Sequence, residues 1–182
     1  MKRACVLLAD GFEETEAVAI IDVLRRADIE VAVLGVERKR VIGSHHIVIE
    51  ADALLSDRND EAFDLVVLPG GMPGAATLRD DAKVQALLRA QHAKGGLVAA
   101  ICAAPIALAA AGLLDGKRAT CFPGFENQLG TARCETNAVV IDGNVITSRA
   151  VGTALQFALA LVEALQSEPA AALLAKRMLV GN

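Results

Sequence analysis

The stretch 97–108, Leu97-Val98-Ala99-Ala100-Ile101-Cys102-Ala103-Ala104-Pro105-Ile106-Ala107-Leu108, decides how the chain is read. Its opening residues, Leu97 to Ile101, are all apolar, as suits a strand buried on both faces of a parallel sheet. An Ala-rich run then continues to Ala111-Gly112, the pattern of a short buried helix with a glycine stop. Pro105 falls in the first turn, where its missing N–H costs no hydrogen bond. Cys102 stands at the joint. Helix-start N–H groups and the dipole there stabilise an anion, so the thiol is expected below its free pKa, with amides able to cradle an oxyanion. Free cysteine is also among the most buried residue types, so Cys102 equally fits a small core residue. Spacing alone leaves both readings open.

Outward from this stretch, strands and helices alternate. Ala4 to Ala9 reads as a buried strand, Glu13 to Ala27 as a helix, and Glu30 to Val36 as a second strand. Arg40 to Ile42 and His46 to Glu50 form a small hairpin around Gly43-Ser44. Asp52 to Ala62 reads as polar connection, and Leu65 to Leu68 as a strand running into Pro69-Gly70-Gly71-Met72-Pro73-Gly74. A helix spans Asp81 to Ala93. After the Cys102 helix come a strand at Arg118 to Cys121, a turn at Phe122-Pro123-Gly124, and strands at Ala138 to Ile141 and Asn144 to Thr147, joined by Asp142-Gly143. Helices at Val151 to Gln166 and Glu168 to Leu179 follow. This alternation predicts an α/β sandwich around a mainly parallel sheet. Its sites belong beyond the carboxyl ends of the strands, so the loops 10–16, 69–74 and 101–104 are expected to converge.

The chain has 182 residues, enough for one domain, 1–182, with a sizeable core. Its net charge is −4, with no basic run, no Trp and no Tyr, which argues against nucleic acid as a main partner. No stretch reaches membrane-spanning length without charge, and Asp10 ends the first apolar run too early for a signal peptide. Cys5, Cys102, Cys121 and Cys134 show neither metal-ligand spacing nor a disulfide framework, so a reducing cytoplasm is the expectation. Cys5 reads as core. Cys121 and Cys134 are secondary oxidation sites if exposed.

Glu16 stands out in the first helix. The apolar stripe Ile20, Val23, Leu24, Ala27 continues back one turn to Glu16, while Thr15, Ala19, Asp22 and Arg26 lie on a polar face. Burial there predicts a raised pKa. Favourable charge at the helix start accounts equally for Glu13, Glu14 and Glu16. Of the histidines, His45 and His46 have no obvious acid partner and His92 suits a helix C-terminus, so a Cys/His triad is not supported. Cys102 with Glu16 is the pair left. Its amide donors would come from the Gly70-Gly71 backbone and Ala103. No Lys-Ser or Lys-Thr follows the glycines, so a phosphate loop is not supported.

Read in order, Ala9-Asp10-Gly11-Phe12-Glu13-Glu14-Thr15-Glu16, Leu68-Pro69-Gly70-Gly71, Ala99 to Pro105 and Thr147-Ser148-Arg149 resemble the ThiJ/PfpI superfamily, in the branch of the parkinsonism-associated protein deglycase and bacterial YajL. The resemblance implies a flavodoxin-like three-layer sandwich related to class I glutamine amidotransferases, as a homodimer. It implies a reactive Cys102, a protonated Glu16 and oxyanion-type amides at Gly71 and Ala103. The implied activity is that of a cofactor-independent glyoxalase or deglycase acting on methylglyoxal, glyoxal and early glycation adducts on proteins, with no metal or organic cofactor. It further implies a role in oxidative stress. A second reading is a non-catalytic redox sensor and holding chaperone whose Cys102 oxidises to sulfinate, and a third is a flavin-binding module. Phe122 stands where some members have a His, which weakens a protease or amidase reading. Ala150-Val151-Gly152 replaces the usual Gly-Pro-Gly. Arg26 and Arg149 are a candidate anion pocket beside the site, though each also fits an ordinary surface charge.

Overall fold

Buried apolar runs and right-handed crossovers leave few ways to build this chain. In the computed structural model, which describes residues 1–58 and 61–181, β1 (Arg3–Leu8), α1 (Glu14–Arg26) and β2 (Glu30–Gly35) come first. The hairpin of β3 (Arg40–Ile42) and β4 (Val48–Glu50) follows, then β5 (Ala53–Leu54) and β6 (Leu65–Leu68). After α2 (Gly74–Asp80) and α3 (Ala82–Ala93) come β7 (Leu97–Ile101), α4 (Pro105–Ala110) and β8 (Arg118–Ala119). Then β9 (Arg133–Cys134), β10 (Val139–Asp142), β11 (Val145–Ser148), α5 (Ala154–Leu165) and α6 (Glu168–Arg177) follow.

The main sheet has the order β10-β11-β7-β6-β1-β2-β5. Only β10 runs antiparallel, against β11. Alternation along the strands splits the core into two layers. Cys5, Leu7, Val66, Leu68, Val98 and Ala100 face α2, α3 and α4. Ala4, Val6, Leu8, Val67, Ala99 and Ile101 lie in the layer of α1 and α5, with α6 packed against α5. This is a flavodoxin-like three-layer α/β sandwich. No helix among the described residues is long and apolar enough to cross a membrane.

Three elements differ from the sequence reading. The polar connection Asp52 to Ala62 contains β5 and a 3₁₀ turn at Leu55–Asp57, because Leu55 is buried and Ala53-Leu54 pairs with Leu34-Gly35; its residues 59 and 60 lie outside the described residues. The Gly/Pro loop yields directly to α2, with Pro73 at its N-cap and Ala75 and Leu78 buried. The strand expected over Arg118 to Cys121 stops at Ala119 and pairs with β9 outside the main sheet. Thr120 turns its N–H to the Thr147 hydroxyl instead (2.9 Å).

Strand order reverses at β1, which sends β2 to one side and β6 to the other. Such a switch point leaves a crevice at the carboxyl ends of the strands. Leu8, Leu68 and Ile101 end there, and their following loops meet.

Candidate active site

The site is built from three loops that touch through their backbones. Glu13 N-caps α1, its carboxylate accepting from Glu16 N–H (2.7 Å), while its own N–H donates to Gly70 O (2.8 Å). Gly70 N–H donates to Glu16 Oε2 (2.8 Å). A β-carbon added to Gly70 would lie 2.5 Å from Cys102 Cβ and 2.8 Å from Glu16 Oε2, so glycine is required by space. Gly71 takes φ +87°, a left-handed conformation open to glycine at little cost.

Cys102 itself sits at φ +63°, an uncommon conformation for a residue with a side chain. Three hydrogen bonds fix it: Cys102 N–H to Ser148 O (3.1 Å), Phe122 N–H to Cys102 O (2.8 Å), and Ala104 N–H to Ile101 O (3.0 Å). A left-handed residue costs about 1–2 kcal/mol. Here it turns the thiol back toward the Glu16 carboxyl and the amides of Gly71 and Ala103.

Glu16 is fully buried, and its Oε1 finds no hydrogen-bond partner among the described residues. Burial raises its pKa to about 7 against the pull of the Gly70 amide and the Cys102 thiol. The Cys102 thiol is also pushed up, to about 12, by burial first and then by the charge and contact of Glu16. This corrects the lowered pKa expected from a helix start. The Gly71 and Ala103 amides do pull downward, but α4 begins only at Pro105 and the buried carboxylate outweighs them. The Glu16 contribution exists only while Glu16 is ionised. Thiolate and neutral Glu16 therefore belong together, and the pair titrates as a unit.

His45, without an obvious acid partner in the sequence, has one in the structure. Its Nδ1 lies 2.9 Å from Glu14 Oε2, and its backbone N–H donates to Glu14 Oε1 (2.6 Å). Burial of Glu14 works against ionisation, yet the His45 ring and surrounding amides hold its pKa down to about 2. The same contact raises His45. Thirty-one positions separate the pair, beyond the reach of any periodic pattern.

The two arginines do not form one pocket within the chain. Arg26 closes the last turn of α1, ten residues from Glu16 or about 15 Å along the axis, and pairs with Asp22 (2.6 Å). Arg149 follows β11 and donates to Thr136 O (3.0 Å); burial first, then the Glu126 charge, push the nearby Cys121 thiol up to about 11 against the smaller pull of Arg149. Phe122 stands exposed beside Phe125 in an edge-to-face contact with centroids 6.4 Å apart, and offers no proton acceptor. In the Ala150-Val151-Gly152 segment, Thr153 Oγ1 bonds Ser148 Oγ (2.8 Å) and Ala150 N–H (3.2 Å), tying it to β11. Cys5 and Cys121 are buried and Cys134 is exposed, all as free thiols.

A family model described as the DJ-1/PfpI family matches residues 2–164. Protein DJ-1 homolog B of Arabidopsis thaliana is 45% identical over 169 residues, covering 90% of this chain and 38% of that protein. The chain thus spans about two fifths of the length of the Arabidopsis relatives it matches. Glutathione-independent glyoxalase DJR-1.2 of Caenorhabditis elegans is 36% identical over 168 residues, 91% of this chain and 89% of that protein. Among solved structures, Toxoplasma gondii DJ-1, oxidized, has a TM-score of 0.96 at 38% identity, covering 100% of each chain.

Proposed function

The chain belongs to the DJ-1/PfpI family, and from that premise we propose that it is a cysteine-dependent glyoxalase and protein deglycase acting on methylglyoxal, glyoxal and early glycation adducts. The observation that carries the reading is the buried Glu16 carboxyl, with pKa near 7, set against the Cys102 thiol. A carboxyl with that pKa gives and takes a proton at neutral pH. The relative named as a glutathione-independent glyoxalase supports the substrate class.

The chemistry runs through Cys102. Its sulfur adds to the aldehyde carbon, its proton passes to Glu16, and the new oxyanion is met by the Gly71 and Ala103 amides. Glu16 returns a proton to give a hemithioacetal. Moving hydrogen from that carbon to the neighbouring carbonyl carbon, with Glu16 carrying the proton, yields a lactoyl thioester. Water then releases lactate and restores the thiol, so one methylglyoxal and one water give one lactic acid. An adduct on a protein thiol enters the same sequence once its carbonyl is freed.

The test supplies methylglyoxal free and as the hemithioacetal of a small thiol, with a chelator present, and follows lactate. Turnover on both forms, persisting on the adduct when a scavenger removes free aldehyde, supports both activities. Loss of adduct turnover under the scavenger overturns the deglycase part. No lactate from either form overturns the whole.

The unpartnered Glu16 Oε1 favours one second reading, a redox sensor and holding chaperone. A protonated carboxyl there would donate to a Cys102 sulfinate oxygen. Mild peroxide would then add two oxygens at Cys102 in the intact-protein mass, and far less in Glu16→Ala. We place the protein in the cytoplasm, which keeps its four free cysteines reduced. The expected homodimer would use the outward side of α1 and the hairpin, where Val18 is 50% and Ile47 57% exposed. Sedimentation at twice 18.9 kDa supports the dimer, and a monomer mass at micromolar concentration contradicts it.

A further inference from the structure

A second cluster of ligand-bearing side chains lies at the start of α1, on the hairpin side of Glu16. We propose that Glu13, Glu14 and His45 bind a divalent first-row transition cation. One ligand atom from each residue lies within 4.8 Å of the other two. His45 Nδ1 is 2.9 Å from Glu14 Oε2 and 4.0 Å from Glu13 Oε1. A zinc ion about 2.1 Å from tetrahedral ligands sets them about 3.4 Å apart. The two separations bracket that spacing, and with the third within 4.8 Å, side-chain shifts of about an ångström or less bring the three atoms round one ion.

The carboxylates are built for the role. Glu14 is buried, and its Oε1 is pinned by the N–H groups of His45 (2.6 Å) and Ile47 (3.3 Å), leaving Oε2 turned to the imidazole. Such outer hydrogen bonds orient a metal ligand. Ser44 Oγ also lies 3.3 Å from Oε2 and 3.1 Å from Nδ1, and would rotate away or join as a neutral ligand. Glu13 Oε2 caps Glu16 N–H, while its Oε1, on a side chain 12% exposed, makes no hydrogen bond among the described residues and lies 4.0 Å from His45 Nδ1. That oxygen can turn to a cation shared with Glu14 Oε2 and His45 Nδ1. The His45 side chain is 72% exposed in the single chain, so a cation reaches the site from solvent wherever the homodimer proposed above leaves the His45 edge of the hairpin open. The helix dipole opposes a cation here, and two carboxylates at contact distance offset it. Two carboxylate oxygens and one imidazole suit zinc, manganese, cobalt or iron(II).

The test titrates Zn²⁺ into the full chain carrying Cys134→Ser, which removes the exposed thiol, against a chromophoric chelator. One zinc per chain at micromolar or tighter affinity is expected. His45→Ala should weaken it at least about tenfold, as losses in a metal's ligand shells do, and His46→Ala should leave it unchanged. Glu13→Gln serves as the second ligand variant, with circular dichroism checking that each folds. Co²⁺ in place of zinc should give visible bands without the near-ultraviolet charge-transfer band of a thiolate. Equal affinity in His45→Ala, less than one zinc bound at 100-fold the micromolar range, or a thiolate band overturns the site.

Discussion

Gly70→Ala removes activity and lowers stability together. The new methyl would sit 2.5 Å from Cys102 Cβ, 2.8 Å from Glu16 Oε2 and 2.9 Å from Ile101 O. Cys102 Cβ and Ile101 O cannot swing aside, and Glu16 Oε2 is held by Gly70 N–H, so the β6 loop, the β7 turn or both must shift. Overpacking of this kind costs about 1–3 kcal/mol. The shift also parts the thiol from its proton carrier, and a displacement of about 1 Å costs on the order of 10²-fold in rate. Urea denaturation and kcat/KM for methylglyoxal measure the two effects. Gly152→Ala is the control, since its added β-carbon meets no heavy atom within 4 Å among the described residues outside its own stretch of chain, and its φ is not left-handed. A Gly70→Ala protein with wild-type rate and stability would show that the three loops are not packed as described.

Glu16→Gln has an equally large effect on rate. Glutamine keeps the size and can accept from Gly70 N–H, but it cannot pick up and return a proton. The expected loss in kcat/KM is about 10²–10⁴-fold, the usual contribution of a positioned acid–base group. The rise or fall of rate around pH 7 should vanish with it. Stability carries the same signature. The folded pKa of about 7 lies above the ordinary carboxylate value of 4.5, so between them the folded chain holds the extra proton. Wild-type stability therefore falls as pH rises from about 4.5 to 7 and levels off above. The full difference is about 3 kcal/mol. Urea midpoints across pH 4.5–8 should show this slope in wild type and lose it in Glu16→Gln. An identical slope in both would mean that Glu16 is ionised throughout.

The sheet was legible in the sequence because its central strands are apolar on both faces. Val66-Val67-Leu68 and Val98 to Ile101 can only lie inside. Glu16 was legible as well, since helical spacing put a carboxyl in line with Ile20, Val23 and Leu24, and all four are buried. The convergence of three loops followed from parallel topology alone.

What escaped the sequence has physical causes. α2 begins on Pro73-Gly74, residues that read as turn, and it is helical because Ala75 and Leu78 pack on the sheet. β5 is two residues long and carries no alternation to detect. The rise in the Cys102 pKa depends on desolvation and on a charge eighty-six positions away, whereas the helix-start argument sees only neighbours. His45 meets Glu14 through a fold of the hairpin over Gly43, a contact that no spacing announces. Arg26 looked like a site residue by type, yet ten helical residues carry it away from Glu16.

The most direct test of the central claim counts lactate molecules formed per chain from excess methylglyoxal, with chelator present, in wild type and Cys102→Ser. Many per chain in wild type and none above background in Cys102→Ser is the result that a Cys102 thiol working with Glu16 predicts. One equivalent or less in wild type would show only a thiol trapping an electrophile, and undiminished turnover in Cys102→Ser would place the chemistry elsewhere.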